Sequence, residues 1–319
     1  DSKVIAKLGL SKDIPVSQFP AKLVLELRSL TRKYYDLTDE RSAHINKLKG
    51  DLHTVFPQYL DVFCDVTGKT STMILRQYGT PDKILRGHKK TMIEKISKAS
   101  RKGLAKASER YEKLCAAANA AKTFGCQIDS IYFNIFLTLD LVEKLDSALD
   151  SILNRIRQLI TFNKNEKFIQ QIKLLNTIPG VGFLTAVTIM CEIGDFSAFR
   201  NPKQLFAYFG LDPEVNESGK FVGTQLHMSK RGSRIARRAI FAVALASIRT
   251  KRNGEGINPY LRKYYELKSG QKPKMVAIGA VMHKVCNIVF AVLRDEKAFE
   301  LRSPEEHCKQ YQRPALAAA

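Results

Sequence analysis

Tryptophan is absent from the 319 residues, and no phenylalanine or tyrosine motif is laid out for stacking. That weakens any reading as a single-strand or RNA-binding platform, where bases stack on successive rings. The cysteines, at 64, 115, 126, 191, 286 and 308, include no C-x-x-C pair and no histidine at ligand spacing. A structural zinc is therefore not expected, whereas reduced thiols in a cytoplasm are. No apolar run reaches about 18 residues, so no membrane span is expected, and no basic amphipathic helix stands alone to bind lipid. Strand-like alternation is scarce. Acidic residues are outnumbered, 31 against 52 Lys plus Arg, which leaves a net charge of +21. Such an excess points to a polyanionic partner, because each neutralised phosphate releases condensed counterions. Merely basic proteins of ribosomes and chromatin also bind nucleic acid, so the class survives either way.

The chain opens on Asp1 with neither Met nor a signal peptide, so an upstream segment is expected. Its end, Ala315-Leu316-Ala317-Ala318-Ala319, reads as a vector scar and is set aside. Residues 1–20 suggest a short helix and a linker marked by Pro15 and Pro20. A helical stripe then runs from 21 to 56 through Leu23, Leu27, Leu30, Tyr34, Leu37, Leu48 and Leu52, and Pro57 ends it. Lys-rich helix follows over 89–124. The most regular segment has Ile128, Ile131, Ile135, Thr138, Val142, Leu145, Leu149, Ile152, Ile156 and Leu159 in steps of three and four. Held over four heptads, that repeat is a coiled-coil signature, with one long core helix as the alternative. A coiled coil here predicts a homo-oligomer, dimer or tetramer. From 168 to about 300, short helices alternate with glycine turns, and Phe221 to Thr224 suggests half of a small hairpin.

Two places carry chemistry. Ile178-Pro179-Gly180-Val181-Gly182 fits a helix-hairpin-helix: Pro179 stops one helix, and the glycines open backbone angles closed to other residues. Backbone N–H groups over Pro179, Gly180, Val181 and Gly182 can then approach a DNA phosphate, although an ordinary helix turn has the same look. Between Ser218 and Arg252 there are nine Lys or Arg and no acid. Lys220, Lys230, Arg231, Arg234, Arg237 and Arg238 are the candidate nucleic-acid contacts, since so one-sided a run repels itself without an anion nearby. Ser218, in a polar loop just upstream, is the candidate nucleophile toward a phosphodiester, with the guanidinium groups stabilising charge at phosphorus. Ser229 and Ser233 are rivals, though either can cap the helix that follows.

The run Ile178-Pro179-Gly180-Val181-Gly182, Ala186, Glu192-Ile193-Gly194-Asp195, Phe199, Leu205, Tyr208-Phe209-Gly210-Leu211, Pro213, Ser218-Gly219, Lys230-Arg231-Gly232-Ser233 and Arg237 covers 172–250 densely. It resembles the transposase domain of the DEDD insertion-sequence family, which includes pilin-gene invertases and RNA-bridged recombinases. Asn258-Pro259-Tyr260 and the apolar helix from Val276 to Leu293 extend the likeness. Asp1-Ser2-Lys3-Val4-Ile5-Ala6 is similar to the segment that carries the last acid of the family's RuvC-like domain. The resemblance implies a DNA recombinase in two parts. A RuvC-like domain holds Mg²⁺ on four acids, and a C-terminal domain supplies a serine, by position Ser218, that joins covalently to DNA. It further implies duplex DNA and a structured guide RNA as partners, in a prokaryotic cytoplasm at the nucleoid. Asp1 is the single catalytic and metal-binding acid of the four that is present, so a chain confined to these residues is expected to be inactive.

The resulting fold is mainly α. Residues 1–20 are the end of a RuvC-like domain plus linker, 21–165 a helical coiled-coil stalk, 166–310 a helical transposase domain, and 311–319 a tail. The rival without catalysis is a helix-hairpin-helix DNA-binding scaffold on a coiled-coil stalk.

Overall fold

Apolar periodicity and proline punctuation divide the chain almost entirely into helices. The computed structural model describes residues 2–10, 20–124, 128–164, 166–214, 217–218, 221–222 and 227–306. In order, the helices are α1 (Ser2–Leu10), α2 (Lys22–Val55), α3 (Tyr59–Val62), α4 (Lys69–Gln77), α5 (Pro81–Arg86), α6 (Lys89–Ser100), α7 (Leu104–Phe124) and α8 (Asp129–Phe162). Then come α9 (Lys167–Leu175), α10 (Phe183–Ile193) and α11 (Pro202–Tyr208), a hairpin of β1 (Glu217–Ser218) with β2 (Phe221–Val222), and α12 (Arg234–Ser247), α13 (Pro259–Ser269) and α14 (Lys274–Asp295). The expectation of a mainly helical chain is met. Helix starts follow capping chemistry. Thr80, Asn201, Ser233 and Asn258 each accept a backbone N–H of the helix behind them, and Pro81, Pro202 and Pro259 sit in the first turn, where no donor is needed.

The chain forms two compact units, one of residues 33–155 and one of 1–32 with 156–319. Both cuts fall inside the long helices α2 and α8 rather than at 20 and 165. In the first unit α2 and α8 run antiparallel. Tyr132 near the start of α8 donates its hydroxyl to the Val55 carbonyl at the end of α2, and Arg41 forks onto Asp146. Phe56, Tyr59, Leu48, Leu52, Ile74, Ile84, Met92, Ile96 and Leu114 fill its core. The Lys-rich stretch over 89–124 is two helices, broken where Arg101 takes φ 54°.

The heptad positions Ile135, Thr138, Val142, Leu149, Ile156 and Leu159 are buried within the chain. Of the other seam positions Ile131, Leu145 and Ile152 are half-buried and Ile128 is exposed, so most of the seam is covered by the chain's own side chains and does not by itself call for a second copy. One correction concerns α14. It is a 22-residue helix with mean hydropathy 2.0, long and apolar enough by those measures to cross a membrane, contrary to the expectation of no such stretch. More than half of that window, 56%, is buried, in contact with α9, α11, α12 and α13, as in a core helix.

In the second unit α10 is the central rod, with every residue from Ala186 to Ile193 buried. It packs on α9 and α12, and α12 packs in turn on α14.

Candidate nucleic-acid interface

The turn between α9 and α10 is anchored from behind. Gly180 takes φ +94°, and a Cβ there would stand 2.7 Å from Ser247 Oγ at the end of α12. The Ser247 hydroxyl donates to the Pro179 carbonyl, and the Thr177 hydroxyl accepts the Phe299 N–H. Gly180 therefore lets two helices approach, and the Val181 side chain is buried, so neither owes its identity to a phosphate. Gly182 differs. It caps the N-terminus of α10, is exposed, and a Cβ there would meet nothing within 4 Å. Of the four residues expected at a phosphate, Gly182 is exposed, Pro179 and Gly180 are half-buried and Val181 is buried.

The basic block is built on a similar close approach. Gly210, at φ +65°, lies against the backbone of Arg231 and Gly232. A Cβ on Gly232 would stand 2.0 Å from the Tyr208 carbonyl oxygen. These two glycines let the loop 230–233 lie directly on the end of α11, with Lys230 held at φ +56°. Arg237 locks the arrangement: its Nη1 donates to the carbonyls of Phe209, Lys230 and Gly232 at 3.2, 3.1 and 2.6 Å. Expected on nucleic acid, Arg237 is half-buried and holds the loop itself. Lys230, Arg231 and Arg234 are exposed and Arg238 is half-buried.

From that root a β-hairpin extends. Lys230 N–H bonds to Gly210 O, Ser229 N–H to Asp212 O, and Glu214 N–H to His227 O. Farther out β1 and β2 pair with Glu217 opposite Val222 and Ser218 opposite Phe221, so two residues, Gly219 and Lys220, separate the strands. Ser218 is thus on a strand at the hairpin tip, not in an open loop. The side chain of Ser218 and the whole of Lys220 lie outside the described residues, as does Asp1. Both rival serines have structural partners. Ser229 donates to Asp212 Oδ1 at 2.5 Å, and Ser233 accepts the Ala236 N–H as the cap of α12.

Sequence reasoning missed the residues that α2 contributes. Arg32 forks onto Glu192 at 2.8 and 2.9 Å, and Arg28 Nε donates to the Cys191 carbonyl at 2.7 Å. Glu192 is only 3% exposed. Burial pushes its carboxyl upward, but the Arg32 guanidinium and the Ser233 hydroxyl outweigh that and hold it below the ordinary range. Some 160 residues separate these arginines from their partners, and nothing in the spacing of α2 signals the meeting. Among the described residues no group of three or more Asp, Glu, His or Cys stands together to hold a metal ion. Glu192, the buried acid of this unit, is occupied by arginine. Asp1, the acid expected at magnesium, lies outside the described residues.

Residues 172–266 match the transposase family IS116/IS110/IS902, and residues 1–57 match a second transposase family, the DEDD class of IS110. A 43.6 kDa protein of insertion element IS110 from Streptomyces coelicolor is 23% identical over 286 residues, 89% of this chain and 66% of the relative. The pilin gene-inverting protein of Moraxella bovis is 30% identical over 177 residues, 55% of this chain and 52% of its own length. The transposase for insertion sequence element IS1111A of Coxiella burnetii is 26% identical over 188 residues, 57% and 50% of the two chains. The chain thus spans between half and two thirds of these relatives.

Proposed function

We infer, from the premise that this chain carries the transposase domains of the IS116/IS110/IS902 family, that it recombines DNA through Ser218. The observation that carries this reading is the hairpin: Ser218 pairs with Phe221 at its outer end, and its root lies against the loop that carries Lys230 and Arg231. In the proposed step Ser218 Oγ bonds to a backbone phosphorus and one P–O ester bond breaks. The serine proton passes to solvent and the leaving oxygen gains one, so the strand end stays attached to the protein as a phosphodiester. Clustered guanidinium groups favour the charge that builds on phosphorus. Duplex DNA and a structured RNA are the proposed partners, supported by the net charge of +21.

The test uses a chain extended upstream with the rest of the DEDD domain. Ser218→Ala should keep its affinity for labelled DNA but give no shifted band on a denaturing gel, where wild type gives a covalent adduct. Ser229→Ala and Ser233→Ala should retain the adduct. An adduct of wild-type strength in Ser218→Ala rules out this serine, and loss confined to one of the others moves the role there. No adduct from any of these proteins, wild type included, favours a non-catalytic scaffold.

A further inference from the structure

Beside the root of the hairpin lies a cleft of about 480 Å³, lined by Arg28, Arg32, Glu192, Tyr208, Arg231 and Ser233. Three guanidinium groups face it against one carboxylate. Glu192 is matched by Arg32 and by the Ser233 hydroxyl. Arg28 is oriented by the Cys191 carbonyl and shares with Arg32 the one carboxylate of the cleft, Glu192. The Arg231 side chain makes no hydrogen bond or ion pair among the described residues, and it is exposed. The lining therefore carries two positive charges beyond those matched, in a concavity where field lines concentrate. Ser233, which caps the start of α12, lines the cleft together with Gly232. One wall is the Tyr208 ring, 46% exposed, steadied by its hydroxyl on the Glu192 carbonyl.

Cation and flat aromatic wall together match a sugar-phosphate unit better than a bare ion. On the reading of the chain as a DNA recombinase, we propose that this cleft seats one backbone phosphate of duplex DNA. Arg28 and Arg231 meet its non-bridging oxygens, and Tyr208 packs on the adjoining sugar. Arg32 is a positioning residue: it keeps Glu192 ionised and turned away from the phosphate. The cleft lies against the loop that roots the Ser218 hairpin, so a phosphate held there fixes the duplex relative to that root.

Equilibrium binding to a short duplex, measured in Ser218→Ala protein so that no adduct forms, tests the proposal. Arg231→Ala and Arg28→Ala should each weaken binding about tenfold at low salt and reduce the slope of log affinity against log salt by about one. Arg231→Lys should keep the slope. Ala207 lines the same cleft and is exposed, so Ala207→Trp fills it without changing charge and should also weaken binding. Unchanged affinity in Ala207→Trp, with thermal unfolding intact, would falsify the cleft and leave only surface charge. Inorganic phosphate bound by wild type and lost in Arg231→Ala, with duplex affinity unmoved, would assign the cleft to a small anion and overturn the DNA reading. Failure of Ser218 as nucleophile leaves these affinities unmoved, and failure of the cleft leaves the adduct assay readable.

Discussion

Single residues in this protein do work that their type alone does not announce. Glu192 is an acid held ionised in the interior, and its native pKa lies below the ordinary 4.5. The native carboxyl releases its proton more readily than the unfolded chain's, so its contribution to stability is complete above about pH 4.5 and fades as pH falls through the native value. Glu192→Gln should therefore destabilise at pH 7 by about 1–3 kcal/mol, toward the lower end because the Arg32 side chain is 51% exposed and screened. Chemical denaturation at both pH values checks the sign: the gap from wild type must narrow in acid, and a gap that widens contradicts the pairing. Gly232 makes a sterner case. A methyl there meets the Tyr208 carbonyl backbone, which cannot step aside, so Gly232→Ala should lose about 2–4 kcal/mol and be visible as a lower unfolding midpoint. Glycine in the family-like run was legible as a residue required by backbone geometry. That its neighbour would be α11, or that Gly180 would face Ser247, was not, because sequence spacing gives a backbone's freedom and not what comes up against it.

Among the elements, α8 shows what periodicity can and cannot tell. Its heptads mark an apolar face correctly, since Val142, Leu149 and Ile156 are buried. They say nothing about whether the covering helix belongs to the same chain, and here α2 lies antiparallel to α8 in the unit of residues 33–155. Leu149→Asp should consequently unfold the chain rather than dissociate an assembly, at a cost of about 3 kcal/mol or more, measurable as lost helical circular dichroism on mild heating. A different stripe, Phe133, Leu137 and Leu141, is 62, 46 and 43% exposed at helical spacing. Homo-oligomerisation, proposed at first from the seam, is better supported by these three. Leu137→Asp with Leu141→Asp should reduce the particle mass in light scattering while leaving helix content intact, and a native chain already monomeric at micromolar concentration removes the proposal. The β-hairpin was half legible: Phe221-Val222 suggested one strand, but the partner Glu217-Ser218 is polar and carries no alternation to find.

For the whole molecule, charge is the property readable at a glance, and arginine placement refines it. Binding to duplex DNA should fall steeply with salt, by a slope near −0.9 for each phosphate neutralised. Arg234→Ala combined with Arg238→Ala should flatten that slope. Arg237 needs a different expectation, since its guanidinium lies on three carbonyls at the hairpin root. A fully extended chain of the eight steps from Gly210 to Ser218 reaches at most about 26 Å, so over that lever a tilt of roughly 5° at the base displaces the far end by about 2 Å, and misplacement of even 1 Å can cost a reaction about a hundredfold. The root of the hairpin is thus a gunsight more than a grip. Arg237→Lys, which keeps the charge but not the three-way fork, should hold DNA nearly as well as wild type and yet form the covalent adduct far more slowly.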